Sequence, residues 1–255
     1  MDSGTQYADL ADRGVLISGG GSGIGAALVE GFARQGAKVS FIDIAREDSE
    51  ALCARLDGAV AHRPHFFHTD IRDVAALKQS IDAAASAMGR LDVLINNAAR
   101  DDRHDLETVT AEYWDENQAV NLRHQFFAAQ AVAPHMRAAG GGAIINFSSI
   151  AYLMNMGVFP AYATAKAGII GLTKSLAGHL GPDNIRVNAI LPGMVLTERQ
   201  LKLWIDETSI DSMLKDQCLK RALKPEDIVG PCLFLASSAS GALTAQSLIV
   251  DGGVV

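Results

Sequence analysis

Short β-branched runs alternate with longer alanine-rich segments along most of the chain. The runs at 15–18, 38–43, 64–69, 91–96, 143–148, 185–191 and 247–250 read as strands. Several are apolar at successive positions rather than at every second one, the pattern of strands covered on both faces in a parallel sheet. Between them, 25–35, 49–56, 74–88, 120–138, 162–180 and 225–235 read as helices. This alternation predicts an α/β fold, a doubly wound parallel sheet of about seven strands flanked by helices on both faces. The rhythm breaks over 197–222, where Trp204, Met213 and mixed charge precede the last helix. That stretch reads as a lid-like insertion in a single domain spanning 1–255.

Composition narrows the function classes. Hydrophobic residues make up 49% of the 255 positions and charged residues 20%, a globular balance. A net charge of −7 with no Lys/Arg cluster argues against a nucleic-acid partner. Cys53, Cys218 and Cys232 are widely spaced and form no CxxC, so neither a disulfide framework nor a zinc site is expected. The opening "MDSGTQYADLADRG" lacks the apolar core of a signal peptide, and no apolar run approaches the ~20 residues of a membrane span. A cytoplasmic protein with no membrane partner is predicted.

Two stretches carry candidate chemistry. "ISGGGSGIGAAL" (17–28) follows the first strand and opens the first helix, where glycines permit a tight turn and close approach to a pyrophosphate. Gly21-x-Gly23-xx-Ala26 is a loose match to the usual fingerprint, and alone it reads equally as an ordinary strand-to-helix turn. Asp43, twenty residues after Gly23 at the end of the second strand, is placed to bind ribose hydroxyls. With no cation in the loop at Ser22 and Ile44 directly after the acid, NAD is favoured and NADP is the weaker alternative; Arg46 is the nearest basic residue. The second stretch is "YATAK" (162–166). On a helix it sets Tyr162 and Lys166 one turn apart, and a cation beside a phenol favours the phenolate. By itself the pentapeptide reads more readily as a surface tyrosine one turn before a lysine.

Taken together, the chain resembles the short-chain dehydrogenase/reductase family over essentially its whole length. "SGGGSGIG" (18–25) stands for TGxxxGxG with Ser18 replacing Thr, and "NNAA" (96–99) for NNAG with Ala99 replacing Gly. "VNL" (120–122) supplies Asn121, and "SS" (148–149) places Ser149 thirteen residues before Tyr162. "PGMVLT" (192–197) resembles the loop that holds the nicotinamide carboxamide. The resemblance implies a Rossmann-type, dinucleotide-binding catalytic domain with Asn121, Ser149, Tyr162 and Lys166 as catalytic residues. Tyr162 takes a proton from a substrate hydroxyl, Ser149 hydrogen-bonds the reacting oxygen, and Lys166 depresses the tyrosine pKa and holds the nicotinamide-side ribose. Asn121 anchors a proton-relaying water. The implied cofactor contacts are Gly19, Ser22, Gly23, Ile24, Gly25, Asp43, Asp70, Ile71, Asn97, Ala98, Tyr162, Lys166, Pro192, Val195 and Thr197. No metal is required, and a homotetramer pairing the helices at 120–138 and 162–180 is implied.

The substrate is read from the loop "RDDRHDLETVT" (100–110) and from "IAYLMNMGVF" (150–159). Asp101, His104 and Asn155 are polar enough to grip vicinal hydroxyls alongside Ser149 and Tyr162, although the acidic loop reads equally as a solvated one. "NLRH", "DDRH" and "QCLKR" resemble the family's branch that oxidises D-xylose, L-arabinose or galactose-type aldoses at C1, which implies a sugar as the small-molecule substrate. A 3-oxoacyl thioester reductase or another secondary-alcohol dehydrogenase of the same family is the competing activity, and a non-catalytic NAD-binding protein the competing class.

Overall fold

The computed structural model describes residues 5–255. All seven strands are parallel and lie in the order β3-β2-β1-β4-β5-β6-β7. They are β1 (Gly14–Ser18), β2 (Lys38–Asp43), β3 (His65–His68), β4 (Val93–Asn96), β5 (Gly142–Phe147), β6 (Ile185–Pro192) and β7 (Ser247–Val250). The order reverses between β1 and β4, whose registers pair Leu16 with Leu94 and Ser18 with Asn96. Such a switch point opens a crevice beyond the strand C-termini.

The central strands β1 and β4 are buried at every position because helices cover both faces, while the edge strands β3 and β7 are more exposed. Val15 and Ile17 point to one side, where Phe32 of α1 (Gly23–Arg34), Leu52 of α2 (Arg46–Leu56) and Ile228 of α9 (Pro225–Ala236) pack. Leu16 points to the other, against α3 (Val74–Met88), α5 (His124–Ala138) and α6 (Pro160–Leu180) through Ile81, Val132 and Leu180. Phe32 is wholly buried, so its truncation to alanine should cost about 3–5 kcal/mol.

Two regions depart from the sequence pattern. The helix expected at 120–138 begins earlier, as α4 (Ala111–Gln118), and runs on into α5 through one π turn at Ala119–Arg123. "AEYWDENQ" has no apolar stripe, and its start is fixed by Thr110, whose hydroxyl accepts from the Tyr113 amide at 3.2 Å. The segment at 197–222 is not structureless: it contains α7 (Glu198–Leu203) and α8 (Glu207–Asp216). Among the described residues, no helix is long and apolar enough to cross a membrane.

Candidate functional site

A cavity of about 1030 Å³ opens at the C-terminal ends of the strands, large enough for a dinucleotide and a small substrate. Its floor is the glycine loop. A Cβ on Gly25 would lie 1.7 Å from the Gly19 carbonyl oxygen, and one on Gly21 would lie 2.5 Å from the Ser49 hydroxyl and 3.1 Å from the Asp43 carboxyl. Only glycine lets the chain pass so close. Ser22 caps α1 without a side-chain hydrogen bond, and Gly19, Ser22, Ile24 and Gly25 line the cavity. The first-turn amides of a twelve-residue helix therefore face the space where a pyrophosphate fits. Gly23 does not line the cavity; it takes the positive φ of 53° that the turn needs.

Asp43 accepts from the Gly21 amide at 2.8 Å and the Ala45 amide at 2.9 Å, which fixes its carboxylate on the cavity wall. Arg46 turns away to Glu50 at 3.4 Å. Asp70 and Ile71 line the cavity too, with Asp70 paired to Arg72 at 2.6 Å, and that guanidinium holds the Asp70 carboxyl below its usual range. Asn97 braces the loop by donating to the Ser18 and Gly19 carbonyls at 3.1 and 2.9 Å. Ala98, Pro192, Val195 and Thr197 complete this end, among the residues named from the sequence.

At the other end, α6 presents Tyr162 and Lys166, and the turn after β5 presents Ser149. Lys166 is buried and donates to the Phe147 carbonyl at 2.9 Å, with Nζ 5.3 Å from the Tyr162 ring centre. Its backbone oxygen receives the Ser148 hydroxyl at 2.6 Å. Burial pulls the Lys166 ammonium down to about 7, against the opposing pull of Asp101. Burial also pushes the Tyr162 phenol up, the charge of Asp101 adds to this, and a hydrogen bond with Ser149 works the other way. The depressed phenol expected beside Lys166 and an oxidised nicotinamide is an expectation for the cofactor-bound state. In the cofactor-free protein desolvation is the largest of these effects.

Asn121 lies on the π turn and is wholly buried. Its amide nitrogen donates to the Arg100 and Asn117 carbonyls at 3.0 and 3.1 Å, and its oxygen accepts from the Arg100 amide at 2.8 Å. With both amide protons donated and its oxygen accepting from Arg100, this side chain pins the loop that follows β4. A π turn leaves carbonyls without their usual partners, and the bond to Asn117 satisfies one.

Of the substrate residues read from the sequence, Asp101 lines the cavity and His104 and Asn155 do not. Asp101 does line the cavity, but its carboxylate accepts from Gln200 at 2.5 Å. Neighbouring Asp102 bridges Arg100 at 2.5 Å and Arg199 at 2.8 Å, tying α7 to the loop. His104 does not reach the cavity. Its Nε2 accepts from the Ala161 amide at 3.1 Å, and its Nδ1 lies 3.0 Å from the Asp102 carbonyl and 2.9 Å from the Tyr113 hydroxyl. Asn155 is exposed and lies outside the lining. The lining instead includes Arg103, Met154, Phe159, Arg199 and Gln200, which the sequence reading did not select. "DDRH" contains Arg103, but nothing in its spacing marks it. Among the described residues no cluster of His, Cys, Asp and Glu could hold a metal.

Residues 19–255 match the family model described as "Enoyl-(Acyl carrier protein) reductase". A protein named "Probable galactose dehydrogenase GalD" from Rhizobium meliloti (strain 1021) is 64% identical over 250 residues, covering 98% of each chain. D-xylose 1-dehydrogenase from Caulobacter vibrioides (strain NA1000 / CB15N) is 47% identical over 247 residues, 97% of each. A solved short-chain dehydrogenase/reductase mutant from Serratia marcescens superposes with a TM-score of 0.90 at 35% identity, covering 96% of this chain and 99% of that one. The chain belongs to the short-chain dehydrogenase/reductase family. Its departures from the short-chain dehydrogenase/reductase pattern are small. The Ser18 hydroxyl accepts from the Asn97 and Ala98 amides at 3.2 Å each, a task any β-hydroxyl performs. Ala99 lines the cavity with one added methyl.

Proposed function

We propose that this chain is an NAD-dependent aldose 1-dehydrogenase that removes hydride from C1 of an aldopyranose, a pentose or galactose-configured hexose, and releases the aldonolactone. The observation that carries this reading is 64% identity to a galactose dehydrogenase across 98% of the chain, with Ser149, Tyr162 and Lys166 gathered in one cavity. The likeness to a D-xylose 1-dehydrogenase supports a pentose as well.

The glycine cradle, the α1 N-terminus and Asp43 fit a dinucleotide, and Asp43, which meets no cation among the described residues and lies beside exposed Ile44, favours NAD over a 2′-phosphorylated cofactor. Bound nicotinamide supplies the hydride acceptor. Tyr162 takes the anomeric hydroxyl proton as the C1–H bond breaks, and Ser149 hydrogen-bonds the same oxygen, so the carbonyl of the lactone forms against a fixed donor. A lysine held near 7 exchanges protons at neutrality, so Lys166 can pass on the proton Tyr162 collects. Asn121 contributes by holding Arg100 and thus the loop. The segment at 197–222 covers the substrate end. The family reading implies a homotetramer in the cytoplasm, and exposed Phe126 on α5 suits a subunit contact.

The test is a screen of NAD and NADP reduction across aldoses, aliphatic secondary alcohols and 3-hydroxyacyl thioesters. Galactose or xylose with NAD should give the highest kcat/KM, with lactone as product. A thioester or plain alcohol outperforming every aldose would remove the sugar assignment and leave the family.

A further inference from the structure

The cations that line the cavity are nearly all spoken for. Arg72 pairs with Asp70 and Glu116, Arg100 with Asp102 and Glu116, Arg199 with Asp102, and Lys166 donates to Phe147. Arg103 is different. It is half-buried, lines the substrate end, and among the described residues forms no ion pair or hydrogen bond. Its guanidinium lies 4.8 Å from the ring centre of Trp204, the residue that ends α7. Arg103 Nη1 and Trp204 Nε1 are both buried donors without an acceptor.

A long cationic side chain normally escapes such a position by reaching water. Here stacking on Trp204 holds it in place, and the loop that carries it is tied down on both sides. Asn121 fixes Arg100, while Asp102 and Asp101 fix α7 through Arg199 and Gln200. Donors left unsatisfied by a rigid frame are a standing cost that a ligand carrying acceptor oxygens removes.

We propose that Arg103, oriented by Trp204, is a specificity-determining residue that donates to substrate hydroxyl oxygens remote from the reacting carbon. The proposal rests on the aldose reading and extends it. Asp101 lines the same cavity, so a carboxylate-bearing sugar would meet an anion as well as the cation. A neutral polyol meets one donor wall and one acceptor wall. Sites built to hydrogen-bond a hydroxyl discriminate strongly against analogues that lack it.

The experiment compares Arg103→Met, Arg103→Lys and Trp204→Phe with the parent by steady-state kinetics on galactose, xylose, the 2-, 3- and 4-deoxygalactoses and galacturonate. NAD affinity and thermal midpoint are measured in parallel. Arg103→Met should raise the galactose KM at least tenfold while NAD affinity moves less than twofold, and Arg103→Lys should recover part of the loss. For at least one deoxygalactose the penalty should collapse, because the contacted oxygen is already gone. Trp204→Phe keeps the stack, and should cost less than Arg103→Met. An unchanged galactose KM in Arg103→Met, or an equal penalty on every deoxy sugar, overturns the proposal while the sugar reading stands. A parent that prefers galacturonate to galactose by tenfold or more overturns hydroxyl recognition in favour of a carboxylate. A parent that oxidises no aldose removes both readings together.

Discussion

At Tyr162 burial raises the phenol pKa, and at Lys166 the same burial lowers the ammonium to about 7. Each group alone prefers its neutral form. Together, a phenolate formed beside a lysine cation offsets part of the desolvation that either would bear singly. The chemistry therefore depends on the phenolic oxygen itself. Tyr162→Phe keeps the ring and its edge-on packing at 5.5 Å against Phe159 but removes the proton acceptor. Turnover should fall on the order of 10³-fold or more, with the NAD dissociation constant within twofold. Activity within tenfold of the parent in a stopped-assay comparison would place the base elsewhere. Residues of this kind were legible because helical spacing sets Tyr162 against Lys166, and the turn between β5 and α6 sets Ser149. Asp43 was legible because the end of β2 fixes it. His104 and Asn155 were not: a loop side chain points wherever its tertiary partners hold it, and sequence does not name those partners.

The start of α6 shows the same limit for a whole element. Phe159 stands at its N-cap and offers no side-chain oxygen. The acceptor comes from 57 residues away, as His104 Nε2 receives the Ala161 amide one residue before Tyr162. Because Nε2 accepts, Nδ1 carries the proton and donates to the Asp102 carbonyl, with the Tyr113 hydroxyl alongside. His104 is thus a positioning residue that ties loop, α4 and α6 together. His104→Ala should leave an amide of the first turn unsatisfied and let Tyr162 shift. A displacement of about 1 Å costs up to roughly 10²-fold in rate. The expected pattern is a kcat reduced tenfold or more with the KM for NAD unchanged, and recovery in His104→Gln, whose amide oxygen can accept. Equal kcat in His104→Ala and the parent would show that α6 needs no such cap. Periodicity does not reveal α4, whose apolar positions form no stripe, whereas α8 carries Ile210, Met213 and Leu214 at helical spacing, a stripe that the reading of 197–222 as a lid-like insertion passes over.

For the molecule as a whole, the alternation of strands and helices sufficed to predict the parallel sheet, because its central strands, covered on both faces, are apolar at successive positions, while the edge strands β3 and β7 carry less of that signal. That covering also buries ionisable groups, with consequences for stability. His124 is buried and lowered to about 3, first by desolvation and then by the charge of Lys166. Between about 6.5 and 3 the unfolded chain binds a proton that the folded chain refuses, so stability falls as pH drops through that window. Lys166 acts in the same sense higher up. From 10.5 down to about 7 the unfolded lysine is protonated while the folded one is not, so stability again falls as pH drops. Tyr162 runs opposite: its raised value means stability is lost as pH climbs above 10. Buried Cys232 is likewise raised from 9.0 and costs stability above that pH. Cofactor-free protein should therefore gain thermal stability from pH 7 toward 9 and lose it below 6.5 and above 10. Lys166→Met keeps the length of the stem without the proton, so its melting temperature should vary less across pH 7 to 9 than the parent's. His124→Leu should likewise flatten the acid limb. Melting curves at half-unit pH intervals distinguish these outcomes, and a Lys166→Met slope equal to that of the parent would show that Lys166 is not the group whose buried charge sets the alkaline side.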